Sequence, residues 1–69
     1  MNKYLIFIEK YGNSYSAFAP DLPGCVAAGD TMEETEEMMR QAIAMHIEDM
    51  KETGQQIPEP LAVCRYVEV

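Results

Sequence analysis

Tryptophan is absent from this 69-residue chain, which holds one His, two Cys and five Lys or Arg against twelve Asp or Glu. Two cysteines and a single histidine exclude a disulfide framework and a four-ligand zinc site. The shortage of cations, with a formal net charge of −7, excludes a phosphate-binding surface, because affinity for nucleic acid comes largely from Lys and Arg displacing condensed counterions. No direct binding to DNA or RNA is expected. The apolar run at residues 5–8 is too short for a signal-peptide core and far too short for a membrane span. These absences predict a cytoplasmic protein in which Cys25 and Cys64 are reduced thiols.

What is present is enough for one small domain, residues 1–69, with 48% hydrophobic positions. A chain of this size buries only about 60% of the surface that it exposes when unfolded. Ordering it costs about 1.5 kcal/mol per residue. With disulfides and zinc excluded, self-association is the support that remains, and a homodimer or higher homo-oligomer is expected.

Residues 3–10, KYLIFIEK, are rich in β-formers and precede Tyr11-Gly12-Asn13-Ser14, a cluster with turn chemistry. A strand and a hairpin turn follow from that. In Tyr15-Ser16-Ala17-Phe18-Ala19 large aromatic residues interrupt small ones, as on a pleated strand, although Phe18 falls out of step with Tyr15. The second strand must stop at Pro20-Asp21-Leu22-Pro23-Gly24. Its two prolines fix φ, remove two amide donors and force Ala19 and Leu22 into extended backbone. Pro23-Gly24 suits the middle of a type II turn, with Gly24 supplying the positive φ. Residues 25–28 can then form a third strand that ends at Gly29.

Thr31 and Glu34 have the spacing of a capping box, and Glu33, Glu34, Glu36 and Glu37 crowd the following turns, where the helix dipole favours negative charge. A helix is predicted over 32–53, closed by Gly54 as a left-handed cap. At 100° per residue, Met32, Thr35, Met39, Ala42, Ile43, His46, Ile47 and Met50 share one face, which should be buried. Charged residues occupy the opposite side. Met38 and Met45, one heptad apart, lie on the flank beside Ala42 and Asp49, and such flexible thioethers suit adaptable contact surfaces as well as core gaps.

Residues 55–60 form a polar connector ending in Ile57-Pro58-Glu59-Pro60, and residues 61–67 return to strand composition. The expected order is β-β-β-α-β, an α+β domain with a four-stranded mixed sheet and one long helix on one face.

Most of the twelve carboxylates are accounted for by a helix N-terminus and a solvated helix face. Asp21 and Asp30 flank the third strand, where a turn or capping role competes with a metal-dependent nuclease site built with a helix-start glutamate. His46, in the middle of the apolar face, has no companion nucleophile or orienting carboxylate in the sequence, and a core role is expected. Cys25 and Cys64 lack CxxC spacing and fit as small hydrophobes. No catalytic residue, metal ligand or cofactor is expected.

Phe18-Ala19-Pro20-Asp21-Leu22-Pro23-Gly24-Cys25, then Gly29-Asp30-Thr31 with Glu33-Glu34, and finally Gly54 with Ile57-Pro58-Glu59-Pro60 occur in an order and spacing that resemble the HicB antitoxin family. The resemblance covers nearly the whole chain. It implies a partial ribonuclease-H-like fold with strand order 3-2-1-4, and places Cys25 and Cys64 on opposite edges of the sheet. It also implies a type II antitoxin that binds and silences a small basic HicA-type toxin, an mRNA-cleaving ribonuclease. Complementary charge suits that pairing, and Asp21, Leu22, Asp30, Met38, Met45 and Asp49 are the expected contacts. Pro20, Pro23, Gly24, Thr31, Glu34 and Gly54 are expected to be structural. Many family members continue into a DNA-binding domain that this sequence does not contain, so a solitary HicB-like regulatory module is the alternative to a toxin-bound antitoxin.

Overall fold

A computed structural model describes residues 3–69. Its elements are β1 (Phe7–Tyr11), β2 (Ser14–Phe18), β3 (Val26–Gly29) and α1 (Met32–Glu52), and the strands form an antiparallel sheet in the order β1-β2-β3. Gly12 and Asn13 alone separate β1 from β2. Gly12 has φ +60°, as the first central position of a II′ hairpin turn requires. That turn sets the register in which Ile8 opposes Ala17, which in turn opposes Ala27. This row faces the helix and packs into the core. The neighbouring row, Phe7, Phe18 and Val26, lies on the other face, where the Phe7 and Phe18 rings stack at 5.2 Å and all three side chains remain exposed.

The proline-rich connector folds as two consecutive turns. Leu22 donates its amide to the Ala19 carbonyl at 3.1 Å, and Cys25 donates to the Leu22 carbonyl at the same distance. The second turn has Pro23 and Gly24 at its centre, and Gly24 has φ +84°, the type II geometry expected from the dipeptide. These turns drive Leu22 beneath the helix, where it is fully buried with Met39 and Thr35.

Thr31 caps α1 by accepting the Glu34 amide at 3.0 Å, while the Glu34 carboxylate accepts the Asp30 amide at 3.3 Å, one residue before the cap. At the other end Gln55 donates to the Met50 carbonyl and Gly54 to that of Lys51. With Gly54 at φ +73°, this is a Schellman closure. The helix spans 21 residues against strands of four or five. At ~1.5 Å per residue its length is about 31 Å, so its ends overhang the sheet. That overhang corrects part of the predicted apolar face. Thr35 and Met39 are fully buried, Ala42, Ile43, His46, Ile47 and Met50 are half-buried, and Met32 in the first turn is exposed.

The approach of α1 to β3 is set by Gly29. A Cβ at that position would lie 2.8 Å from the Thr35 hydroxyl and 3.1 Å from Glu34 Oε1. Thr35 is buried and its hydroxyl is committed to the Thr31 carbonyl at 2.7 Å, so it has little room to yield. Gly29→Ala should therefore cost about 1–3 kcal/mol through overpacking, measurable as a lowered urea midpoint with an unchanged m-value.

Residues 55–69 carry no strand pairing, so the sheet is three-stranded and the expected fourth strand with order 3-2-1-4 is not shown. Two long-range hydrogen bonds guide this segment instead. The Tyr4 hydroxyl donates to the Pro58 carbonyl at 2.5 Å, and the Ala62 amide donates to Asp21 Oδ2 at 3.0 Å. Strand composition alone does not make a strand, because a ladder needs an edge within reach.

Candidate partner-binding groove

The helix packs chiefly on β3 and β2 and least on β1. Along β3 this leaves a shallow groove between the sheet edge and the second half of α1. Gly24, Cys25 and Val26 form one wall, and Ala42, Met45, His46 and Asp49 form the other. The type II turn builds the first wall by lifting Gly24 to the surface and turning Cys25 inward, where it is buried. Helical spacing builds the second. Met45 and Asp49 are one turn apart, and Met38 precedes Met45 by two turns on the same flank.

Apolar side chains lie open here. On the helix wall Met45 is 73% exposed and Met38, on the same flank, 40%, while Val26 borders the groove at the edge of β3 with its side chain on the opposite face of the sheet. The backbone of β3 adds a free sheet edge beside them, with amide and carbonyl groups available to a partner. Charge at the groove is of one sign. Its lining contains Asp49 and no Lys or Arg. The cations of the helix, Arg40 and Lys51, project from other sides by their 100° spacing. Arg40 is also engaged in a fork with Glu37, whose two carboxylate oxygens lie 2.6 and 2.7 Å from one guanidinium nitrogen. Those hydrogen bonds, with one from Gln41, hold the Glu37 carboxyl below its usual range. The groove thus offers an apolar centre, an acidic border and unpaired backbone.

The family comparison fits that surface. Residues 4–68 match the HicB_like antitoxin of bacterial toxin-antitoxin systems. The chain belongs to the HicB-like antitoxin family. It is 39% identical over 64 residues to an uncharacterized 14.9 kDa protein from the rep-hol intergenic region of Haemophilus phage HP1, covering 93% of this chain and 48% of that one. The chain therefore spans about half the length of this phage relative. It is also 37% identical over 57 residues to a UPF0150 protein of Synechocystis, covering 81% and 72% of the two chains. A UPF0150 protein of Helicobacter pylori is 41% identical over 44 residues, with 64% and 61% covered. No solved structure gives a significant match. Among the described residues no helix is long and apolar enough to cross a membrane.

Of the contacts expected for a HicB-like protein, the fold brings Met38, Met45 and Asp49 to one flank of α1. Asp30 is exposed at the start of the helix. Asp21 is half-buried in the loop and holds the Ala62 amide. Leu22 is corrected: with no exposed surface it is a core residue, unavailable to a partner. Asp21, Asp30 and a helix-start glutamate do not assemble into a metal site, since no group of three or more His, Cys, Asp or Glu among the described residues could hold a metal ion. The sequence reading missed the sheet wall of the groove. Its signal was the Pro23-Gly24 turn, which brings Gly24 to the surface directly before the edge strand β3.

Both cysteines are free thiols, Cys25 buried and Cys64 exposed. Burial pushes the Cys25 thiol up from its ordinary pKa, which lowers the thiolate fraction that reacts. Iodoacetamide should add rapidly to one thiol, Cys64, in the native protein and to Cys25 only on unfolding. Intact mass against time checks this, and two adducts forming at equal rates would contradict the burial of Cys25.

Proposed function

We propose that this HicB-like domain is the antitoxin of a type II toxin–antitoxin system and neutralises a small basic ribonuclease toxin of the HicA type by occluding it. The observation that carries the reading is the groove along β3, where exposed Met45, with Met38 on the same flank, meets a free sheet edge and the acidic Asp49. Apolar anchors at the centre of such a surface supply most of the affinity, and the net charge of −7 speeds encounter with a basic partner. The domain acts as a binding protein rather than an enzyme, needs no cofactor and works in the cytoplasm. Asp30, Met38, Met45 and Asp49 are its partner contacts, and it functions as a homodimer with a partial ribonuclease-H-like, four-stranded sheet in the order 3-2-1-4.

A tagged pull-down from the source cell at low salt, followed by intact-mass analysis, tests this. The expected result is a stoichiometric small basic protein that cleaves RNA when freed from the complex. A bait that returns without such a protein would favour the solitary regulatory module.

A further inference from the structure

The uncovered half of the sheet lies at β1, opposite the groove. Here the free β1 edge borders a depression lined by Tyr4, Ile6, Ile8 and Ile43 with Glu36 and Arg40 at its helix side, because α1 leans towards β3 and leaves the apolar side chains half-covered. Nothing in the backbone protects the edge, since β1 contains neither Pro nor Gly. The same chain carries an unpaired segment suited to it. Residues 61–69 have strand composition and no Pro or Gly, and Val63, Val67 and Val69 fall on one side of an extended strand. All three are at least 75% exposed.

The path of the chain decides whose edge this segment takes. Pro58 is held beside Tyr4, just before β1, but by Ala62 the chain is bonded to Asp21, beyond the end of β2. It has by then crossed the end of the sheet away from its own β1. From Ala62 seven residues remain, which at ~3.3 Å each reach about 23 Å, longer than the five-residue β1. The segment can cover that strand on a second copy without releasing either tether.

We propose that residues 63–69 of each copy add as a strand to the β1 edge of a second copy, giving a reciprocal strand-exchanged dimer. This rests on the homodimer reading above and specifies its interface. Exchange is isologous, so two edges and two segments satisfy one another and the assembly closes at two. Each sheet becomes four-stranded, with valines from the partner over the depression beside Ile8. The groove along β3 stays free for a different partner.

Native mass spectrometry and light scattering of the full chain at 100 µM, compared with an Arg65→Pro/Tyr66→Pro variant, test the proposal. Adjacent residues of a strand aim their amides to opposite sides, so one of the two prolines removes a ladder donor whichever way the strand lies. Both residues are exposed and unpaired in the single chain, so far-ultraviolet circular dichroism should be unchanged. The expected result is twice the 7.8 kDa chain mass for the wild type and the monomer mass for the variant. Isotope-filtered NMR of a mixed labelled and unlabelled wild-type sample should show contacts between Val67 methyls and Ile8. A monomeric wild type would overturn both the dimer and the exchange. A dimer that persists in the variant, without those contacts, would overturn the exchange alone.

Discussion

Leu22→Ala should destabilise the domain by about 2–5 kcal/mol, the range for emptying a fully buried leucine site. The expectation rests on how little core there is. Among the described residues the buried hydrophobic set is Ala17, Ala19, Leu22, Cys25 and Met39, and only Leu22 and Met39 are large and without exposed surface. Both neighbouring turns close on Leu22, through its own amide and carbonyl, so its side chain also anchors the proline-rich loop that forms the sheet wall of the groove. A domain of this size has about 3–10 kcal/mol of total stability, and the substitution should remove a large share of it. Leu61→Ala is the matched control, because Leu61 is 73% exposed and should change stability by no more than about 0.5 kcal/mol. Urea titrations of the two variants followed by circular dichroism check the contrast. Equal midpoints would mean that Leu22 does not hold the core.

Replacing Met38 and Met45 together by Lys should weaken toxin binding by at least about 30-fold, the equivalent of one hot-spot contact of roughly 2 kcal/mol. The change removes two exposed apolar side chains from the flank facing β3 and sets positive charge where the proposed basic partner would dock. Net charge moves by two units, which by itself slows association. Glu59→Lys separates the effects, since it shifts the net charge equally from the exposed connector beside Tyr4, outside the groove lining, and should alter the association rate and its salt dependence with little change in dissociation rate. Equal losses of affinity in the two variants would mean that overall charge, and not the groove, governs binding. Because neither methionine is buried, the double variant should keep the native circular dichroism spectrum.

Local chemistry was legible in the sequence wherever the deciding interaction spans a few residues. The type II turn at Pro23-Gly24, the Thr31 cap and the Gly54 closure are all formed as the residues dictate. The strands and helix fall within a few residues of their expected ends, with β1 starting at Phe7 and α1 ending at Glu52. Non-local pairing was not legible. Residues 61–67 have the composition of a strand, but their pairing depends on which edge they can reach, and the bond from Ala62 to Asp21 directs them away from β1. Leu22 stood between two prolines in a loop, a context that fits a surface contact as well as a core anchor, and only the double turn decides for the core. The flank carrying Met38, Met45 and Asp49 followed from helical spacing, whereas its opposite wall at Val26 required knowing that the helix lies against the β3 edge.

The most direct measurement is a titration of RNA cleavage by the freed toxin with increasing amounts of this domain, read on a denaturing gel at low salt. The antitoxin reading predicts that cleavage falls linearly to zero at one domain per toxin molecule, and that the Met38→Lys/Met45→Lys variant needs a large excess to reach the same inhibition. Cleavage that continues unchanged beyond stoichiometric wild-type domain would contradict it.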